Sequence, residues 1–169
     1  MASPTAGWEV RMSSSKGIPY FFHNDTKHST WDPPSGFTDE QIKSLPGAKE
    51  YWGKPNQIRA SHLLIKHKGS RRPSSWKEEN ITRTKEEAIS ILQKHLAEIK
   101  AAQNARDTFG QLASRHSDCS SHERAGDLGM FTRGQMQKPF EDAAFALEVG
   151  EISDIVSTDS GVHLILRIA

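Results

Sequence analysis

Lys66, Arg71 and Arg72 stand close together in the loop Lys66-His67-Lys68-Gly69-Ser70-Arg71-Arg72-Pro73, which follows the stretch Ser61-His62-Leu63-Leu64-Ile65. Lys66, Arg71 and Arg72 form a set suited to a doubly charged anion. A phosphate monoester carries roughly −1.5 to −2 charge at neutral pH and takes charge-assisted hydrogen bonds from such groups. Arginine supplies a planar fork and lysine a point charge, and Gly69-Ser70 lets the loop fold back. The residues alone leave a solvated basic loop or a nuclear-import patch open as other readings. The chain's lone thiol, Cys119, acts as a nucleophile only if a neighbouring cation or helix N-terminus lowers its pKa. Lone cysteines are often buried and inert. His62 and His163 meet over one sheet face if their strands are neighbours, either to assist chemistry or as a structural pair bonded to each other and to hydroxyls such as Ser61 or Thr158. Near the N-terminus, Trp8, Tyr20-Phe21-Phe22 and Trp31-Asp32-Pro33-Pro34 supply more aromatic surface than a tiny sheet can hide. Tyr20 and Trp31 suit a groove for a proline-rich segment in polyproline II form. Together these features point to substrates in which a phosphorylated residue stands next to proline.

The elements that must position these groups are legible in outline. Residues 8–12, 19–23 and 28–31 read as three short strands, separated by the turn-rich stretches Ser13-Ser14-Ser15-Lys16-Gly17 and Asn24-Asp25-Thr26-Lys27. So small a sheet is marginal alone, and packing of Trp8 against Pro34 is expected to give it a minimal core. Residues 37–56 read as an ordered linker that restricts the orientation of two domains. Thr38-Asp39-Glu40-Gln41 is a capping box there, Phe37 and Ile42 form its hydrophobic staple, and Pro46-Gly47 ends the short helix. Residues 57–67 read as a strand with Ile58, Ala60, His62, Leu64 and Lys66 on one face. Residues 68–80 read as a polar loop. Thr84-Lys85-Glu86-Glu87 opens a helix with Ala88, Ile91, Leu92, Leu96 and Ile99 on one side. Further helices are expected over 107–115 and 139–147, and strands over 126–131, 152–156 and 162–168. Residues 117–121 read as a turn. Strands, then helices, then strands imply an α+β architecture: a small three-stranded antiparallel sheet, and a larger antiparallel sheet surrounded by helices.

Bulk properties narrow the function. The 169 residues allow one ordinary domain and a small one, with 35% hydrophobic and 25% charged residues. No apolar run approaches the roughly 20 residues of a membrane helix, and Met1-Ala2-Ser3-Pro4-Thr5 lacks the features of a secretory signal. The net charge of +1 is too small for general affinity to nucleic acid or anionic membrane. A single cysteine fits a reducing compartment.

The motifs carry a resemblance. Residues 7–34 resemble a WW domain, a proline-binding module. Residues 57–169 resemble a parvulin-type peptidyl-prolyl isomerase with an FKBP-like fold. The matching segments are Ser61-His62-Leu63-Leu64, Ser117-Asp118-Cys119-Ser120-Ser121, Gly126-Asp127-Leu128-Gly129, Gln135-Met136-Gln137-Lys138-Pro139-Phe140 and Thr158-Asp159-Ser160-Gly161-Val162-His163. Module order and the Lys66/Arg71/Arg72 cluster are similar to the subfamily specific for phosphoserine- or phosphothreonine-proline. The resemblance implies a WW domain over 7–36, a linker over 37–56 and an isomerase domain over 57–169. It implies a catalytic set of His62, Cys119, Ser120 and His163, with Lys66, Arg71 and Arg72 on the phosphate. Leu128, Met136, Gln137, Phe140 and Ser160 would line the proline pocket, Gln137 bonding near the peptide backbone and Thr158 helping to line the site. In the WW module it implies Tyr20 and Trp31 as the ligand groove. Ser14 stands where phosphate-binding relatives often carry arginine, leaving Arg11, Ser13 or Lys16 to compensate.

By the same resemblance the partners are phosphorylated Ser/Thr-Pro proteins, among them the RNA polymerase II tail and mitotic phosphoproteins. The chain is expected to be a monomer in nucleus and cytoplasm, with no cofactor, metal, nucleic acid or membrane, and to serve transcription and the cell cycle. Rotation about the imide bond breaks no covalent bond, so Cys119 is expected to act without forming an adduct. A phosphopeptide-binding scaffold without turnover is the alternative. A Cys/His hydrolase lacks any protease fingerprint around Cys119.

Overall fold

The computed structural model describes residues 2–53, 55 and 57–169. The chain divides into two compact units, Met1–Asn56 and Gln57–Ala169.

In the small unit, β1 (Trp8–Met12), β2 (Pro19–His23) and β3 (Ser29–Thr30) form an antiparallel sheet in that order. β3 is shorter than the four residues expected. Alternation turns Val10 and Phe21 to one side, and both are buried. What covers them is the stretch read as a linker. α1 (Asp39–Ser44) starts on the anticipated capping box, with Gln41 N–H donating to Thr38 Oγ1 and Thr38 N–H donating to Gln41 Oε1. A second short helix, α2 (Ala48–Tyr51), follows the Pro46-Gly47 break. Ile42, Leu45 and Ala48 join Val10 and Phe21 in one buried cluster, flanked by Trp8, Phe37, Tyr51 and Trp52. The core of the small unit is this larger cluster, to which Trp8 contributes from its edge. Trp8 meets Phe37, His23 and His28 edge-on, and Trp52 covers Phe21. The reason is area: a three-stranded sheet alone cannot remove two large side chains from water. Gly47 makes the join, because its φ of +79° and a would-be Cβ 2.1 Å from the Val10 carbonyl oxygen exclude any side chain. Ile42→Ala is therefore expected to destabilise the small unit by about 2–4 kcal/mol. Urea denaturation followed through the Val10 and Phe21 amides measures this. An unchanged midpoint would show that α1 is not part of its core.

In the large unit, a four-stranded antiparallel sheet runs β5-β4-β7-β6: Asp127–Thr132, Gln57–Ile65, Gly161–Arg167 and Val156–Thr158. α3 (Lys85–Ala101) begins on the Thr84 capping box, and α4 (Ala105–His116) on Asn104. These two helices cover one sheet face through Leu92, Ile99, Phe109 and Leu112 against Leu63, Ile65, Leu164 and Leu166. α5 (Lys138–Ala146), with proline at its start, covers part of the other face through Phe140, Ala144 and Phe145 against Ile58, Ala60, Phe131 and Ile165. The strand expected over 152–156 is not formed. Ile152 makes one isolated bridge to Leu166, and pairing resumes at Val156–His163 in a register displaced by one residue. Between them Ser153 Oγ accepts from the Ile165 N–H, so a side chain takes a ladder position. A 3-10 turn over Ser120–Arg124 extends the expected turn at 117–121.

Candidate active site

The first and last strands of the large unit are neighbours, and this brings the two histidines together. Leu64 pairs with His163 and His62 with Ile165. The rings stack with centroids 5.2 Å apart, and their Nδ1 atoms lie 3.0 Å apart, one donating and one accepting. His62 Nε2 reaches Ser121 Oγ at 3.1 Å, and His163 Nε2 reaches Thr158 Oγ1 at 2.7 Å. Both rings are buried. Burial first, and the neighbouring His62 second, push the His163 pKa down to about 3, so this ring stays neutral. The backbone leaves His62 little freedom. His62 N–H donates to Gly126 O, and Gly126 (φ +85°) lies so close that a Cβ would sit 2.4 Å from the His62 carbonyl oxygen.

Cys119 stands just before the 3-10 turn, half-buried, and Ser121 N–H donates to its Sγ at 3.5 Å. Burial pushes the thiol pKa up. Hydrogen bonding and charge from His62, with Ser121, outweigh burial and hold it at about 6. The thiol is thus largely ionised at neutral pH. The hydroxyl joined to this network belongs to Ser121, which is buried, whereas Ser120 is exposed at the first position of the turn. The expectation for Ser120 is corrected accordingly: the 3-10 path turns the second serine, not the first, toward His62.

The cationic loop is built against the same turn. Lys66, Arg71 and Arg72 together line a cavity of about 240 Å3, with Ser160 as its fourth wall. Ser160, expected among the proline-pocket residues, thus sits with the cations, where Gln137 Nε2 donates to its hydroxyl at 2.8 Å. The other end of the Gln137 amide accepts from Asp159 N–H. Sequence reasoning missed what holds this loop. Asp118, whose side chain is buried, accepts from Lys66 N–H at 2.9 Å and from Ser75 Oγ at 2.7 Å, and pairs with Arg83 and Lys77. Its carboxylate therefore belongs to the loop's network. Trp76 completes the brace: its indole N–H donates to Ser117 O, and its ring stacks on His122 at 3.8 Å. The only available signal was a buried-type Ser-Asp pair beside a thiol, which does not name its partners.

Phe140 lies across the histidine pair, its ring 5.6 Å from His62 and 5.2 Å from His163. Leu128 and Met136 pack beside it, only partly buried. All three expected apolar residues thus belong to one apolar cluster, and Phe140 is the one that meets the imidazoles.

In the small unit, Tyr20 and Trp31 meet edge-to-face at 5.8 Å and line a cavity of about 360 Å3 with Ser13, Ser14 and Ser15. Trp31 is 47% exposed, which suits a ligand platform. Arg11 does not line it. It stands opposite Tyr20 on the same sheet face, but its guanidinium is drawn aside over Phe22 and pairs with Glu9. The cation at the groove is Lys16, with Nζ 4.7 Å from the Trp31 ring centre.

A half-buried thiol, a buried imidazole pair with an aromatic ring across it, and an antiparallel sheet that holds them define a parvulin-type prolyl isomerase site, in a chain that also carries a WW-type sheet. Residues 62–169 match the family model of the PPIC-type PPIase domain, and residues 5–34 that of the WW domain. The chain belongs to the parvulin family of peptidyl-prolyl cis-trans isomerases, in its WW-containing branch. It is 50% identical to peptidyl-prolyl cis-trans isomerase ssp-1 of Neurospora crassa, over 95% of this chain and 93% of that one. It is 47% identical to ESS1 of Saccharomyces cerevisiae, over 95% and 91%. The solved structure of ESS1 from Candida albicans superposes with a TM-score of 0.64 at 45% identity, covering both chains fully.

Proposed function

We propose that this isomerase acts on bonds in which phosphoserine or phosphothreonine precedes proline. The observation that carries this reading is the cavity lined by Lys66, Arg71, Arg72 and Ser160, next to an apolar shelf fit for a proline ring. A dianionic phosphate takes the guanidinium forks and the ammonium, and the proline ring settles on Leu128, Met136 and Phe140. Between them the imide bond lies over Cys119. Its barrier of about 18–20 kcal/mol comes from amide resonance, which places negative charge on the carbonyl oxygen. An anionic sulfur near that oxygen disfavours the planar, charge-separated form and so eases rotation. His62, Ser121 and Thr158 hold the sulfur and His163 in place.

The WW groove tethers phosphorylated, proline-rich segments and raises their concentration near the isomerase. Suitable partners are repetitive phosphorylated tails, such as that of RNA polymerase II, and mitotic phosphoproteins, met in nucleus and cytoplasm. Exchange NMR on matched Ser-Pro and phosphoSer-Pro peptides tests the specificity. Catalysed cis/trans exchange is expected to be at least about a hundredfold faster for the phosphorylated peptide. Equal acceleration of both would overturn the reading.

A further inference from the structure

Lys66, Arg71 and Arg72 sit on the two arms of one turn. Lys66 precedes it, the arginines follow it, and His67-Lys68-Gly69-Ser70 is the turn itself. Contacts from elsewhere in the unit hold the loop from outside: Arg71 N–H donates to Asp159 O at 2.8 Å, and Lys68 N–H to Arg83 O at 2.8 Å. From inside, the turn is held by His67. Ser70 N–H donates to the His67 carbonyl at 3.0 Å, and His67 N–H donates to Ser70 Oγ at 3.0 Å. A third bond uses the ring: Gly69 N–H donates to His67 Nδ1 at 3.1 Å. Asparagine and aspartate make the same kind of bond in Asx turns, where a side-chain acceptor takes the N–H two residues on. Gly69 packs closely on the imidazole, and an added Cβ would meet its Cε1 and Nδ1 at 3.2 Å.

These bonds fix the state of the ring. A backbone N–H can only donate, so Nδ1 carries the lone pair and Nε2 the proton. His67 is 8% exposed, and its buried Nε2 meets no acceptor among the described residues. A buried donor without a partner works against folding, and an aliphatic side chain of similar size would fill the same space without that penalty. Packing alone therefore does not account for a histidine here, and the atom in use is Nδ1. Burial first, and Lys85 second, push its pKa below the usual imidazole range, with Glu86 opposing them. Lys138 and Asp159 also line the cavity of about 550 Å3 that His67 borders, and Lys68 in the turn is exposed. The ring is thus neutral at neutral pH, as the Gly69 bond requires.

We infer that His67 is a positioning residue for phosphate recognition: by accepting from the Gly69 N–H, its neutral imidazole shapes the turn that sets Lys66 opposite Arg71 and Arg72. The inference rests on the reading of that cavity as a phosphate site.

Two substitutions in the full chain separate this role from packing. His67→Leu fills about the same volume and loses the acceptor. His67→Asn loses volume and keeps an acceptor, Oδ1, bonded to Cγ as Nδ1 is. On a phosphoSer-Pro peptide, His67→Leu is expected to raise KM about three- to tenfold, the equivalent of one neutral hydrogen bond, with kcat unchanged and no effect on the Ser-Pro peptide. Its melting midpoint should equal or exceed the native one, because the unpaired Nε2–H is gone and the exposed Gly69 N–H turns to water. His67→Asn is expected to melt lower and yet keep the native KM. In the native chain, a 15N–15N coupling between Gly69 N and His67 Nδ1 reports the bond without any substrate. A native KM in His67→Leu, equal KM values in the two variants, or absence of the coupling would overturn the inference and leave the native chain's preference for the phosphorylated peptide standing. If the native chain treats both peptides alike, the phosphate reading fails and takes this inference with it.

Discussion

Replacing Arg71 and Arg72 by alanine is expected to lower kcat/KM on a phosphoSer-Pro peptide by about 10²–10⁴, with little change on the unphosphorylated peptide. Each charge-assisted hydrogen bond contributes about 1.5–3 kcal/mol, and each 1.4 kcal/mol is tenfold in rate. The loop is already fixed before substrate arrives. Lys66 N–H is held by Asp118, the Lys66 carbonyl by Arg83, Lys66 Nζ by Ser74 O, and Arg71 N–H by Asp159 O. Little ordering remains to offset binding. Because both arginine side chains are exposed and crowd one cavity with Lys66, their removal relieves repulsion and should leave the thermal midpoint unchanged. Steady-state kinetics on both peptides, with a melting curve, separate recognition from folding. A parallel loss on both peptides would mean that the arginines support the site rather than read the phosphate.

What the sequence disclosed, and what it hid, follows from the range of the interactions. Thr38 and Thr84 announce their helices because a capping box is complete within four residues. The two-residue alternation of β4 places His62 on the reactive face for the same local reason. Three features escaped. Ser120 and Ser121 are chemically identical neighbours, and only the 3-10 path decides which meets His62. Asp118 gathers Ser75, Lys77 and Arg83 from 35 to 43 positions away, a distance over which no periodicity runs. Residues 37–56 read as an ordered linker because the amphipathic side of their short helix has no visible partner until Val10 and Phe21 are folded against it. A Gly/Ser replacement there would remove core, not merely loosen a tether.

Cys119→Asp is expected to keep kcat/KM within about tenfold, whereas Cys119→Ala should lose about a hundredfold or more. The contrast follows from the charge at this position. With its pKa held at about 6, the thiol is an anion at neutral pH, and aspartate places an anion in the same setting beside His62 and Ser121. Alanine leaves none. Asp118 adds no confusion, since its carboxylate is already engaged by Lys66 N–H and Ser75. The pH dependence sharpens the test. For the native chain the active thiolate is lost as pH falls through about 6, so activity declines on the acid side. A substrate phosphate also gains a proton near 6, so the profile must be compared with that of Cys119→Asp. There the phosphate's contribution persists, while the sulfur's moves down into the carboxylate range. Alkylation by iodoacetamide reports the sulfur alone and should reach half its maximal rate near pH 6. If Cys119→Asp is as inactive as Cys119→Ala while alkylation still titrates near 6, sulfur must bond to the carbonyl carbon, and a field effect cannot be the source of the rate.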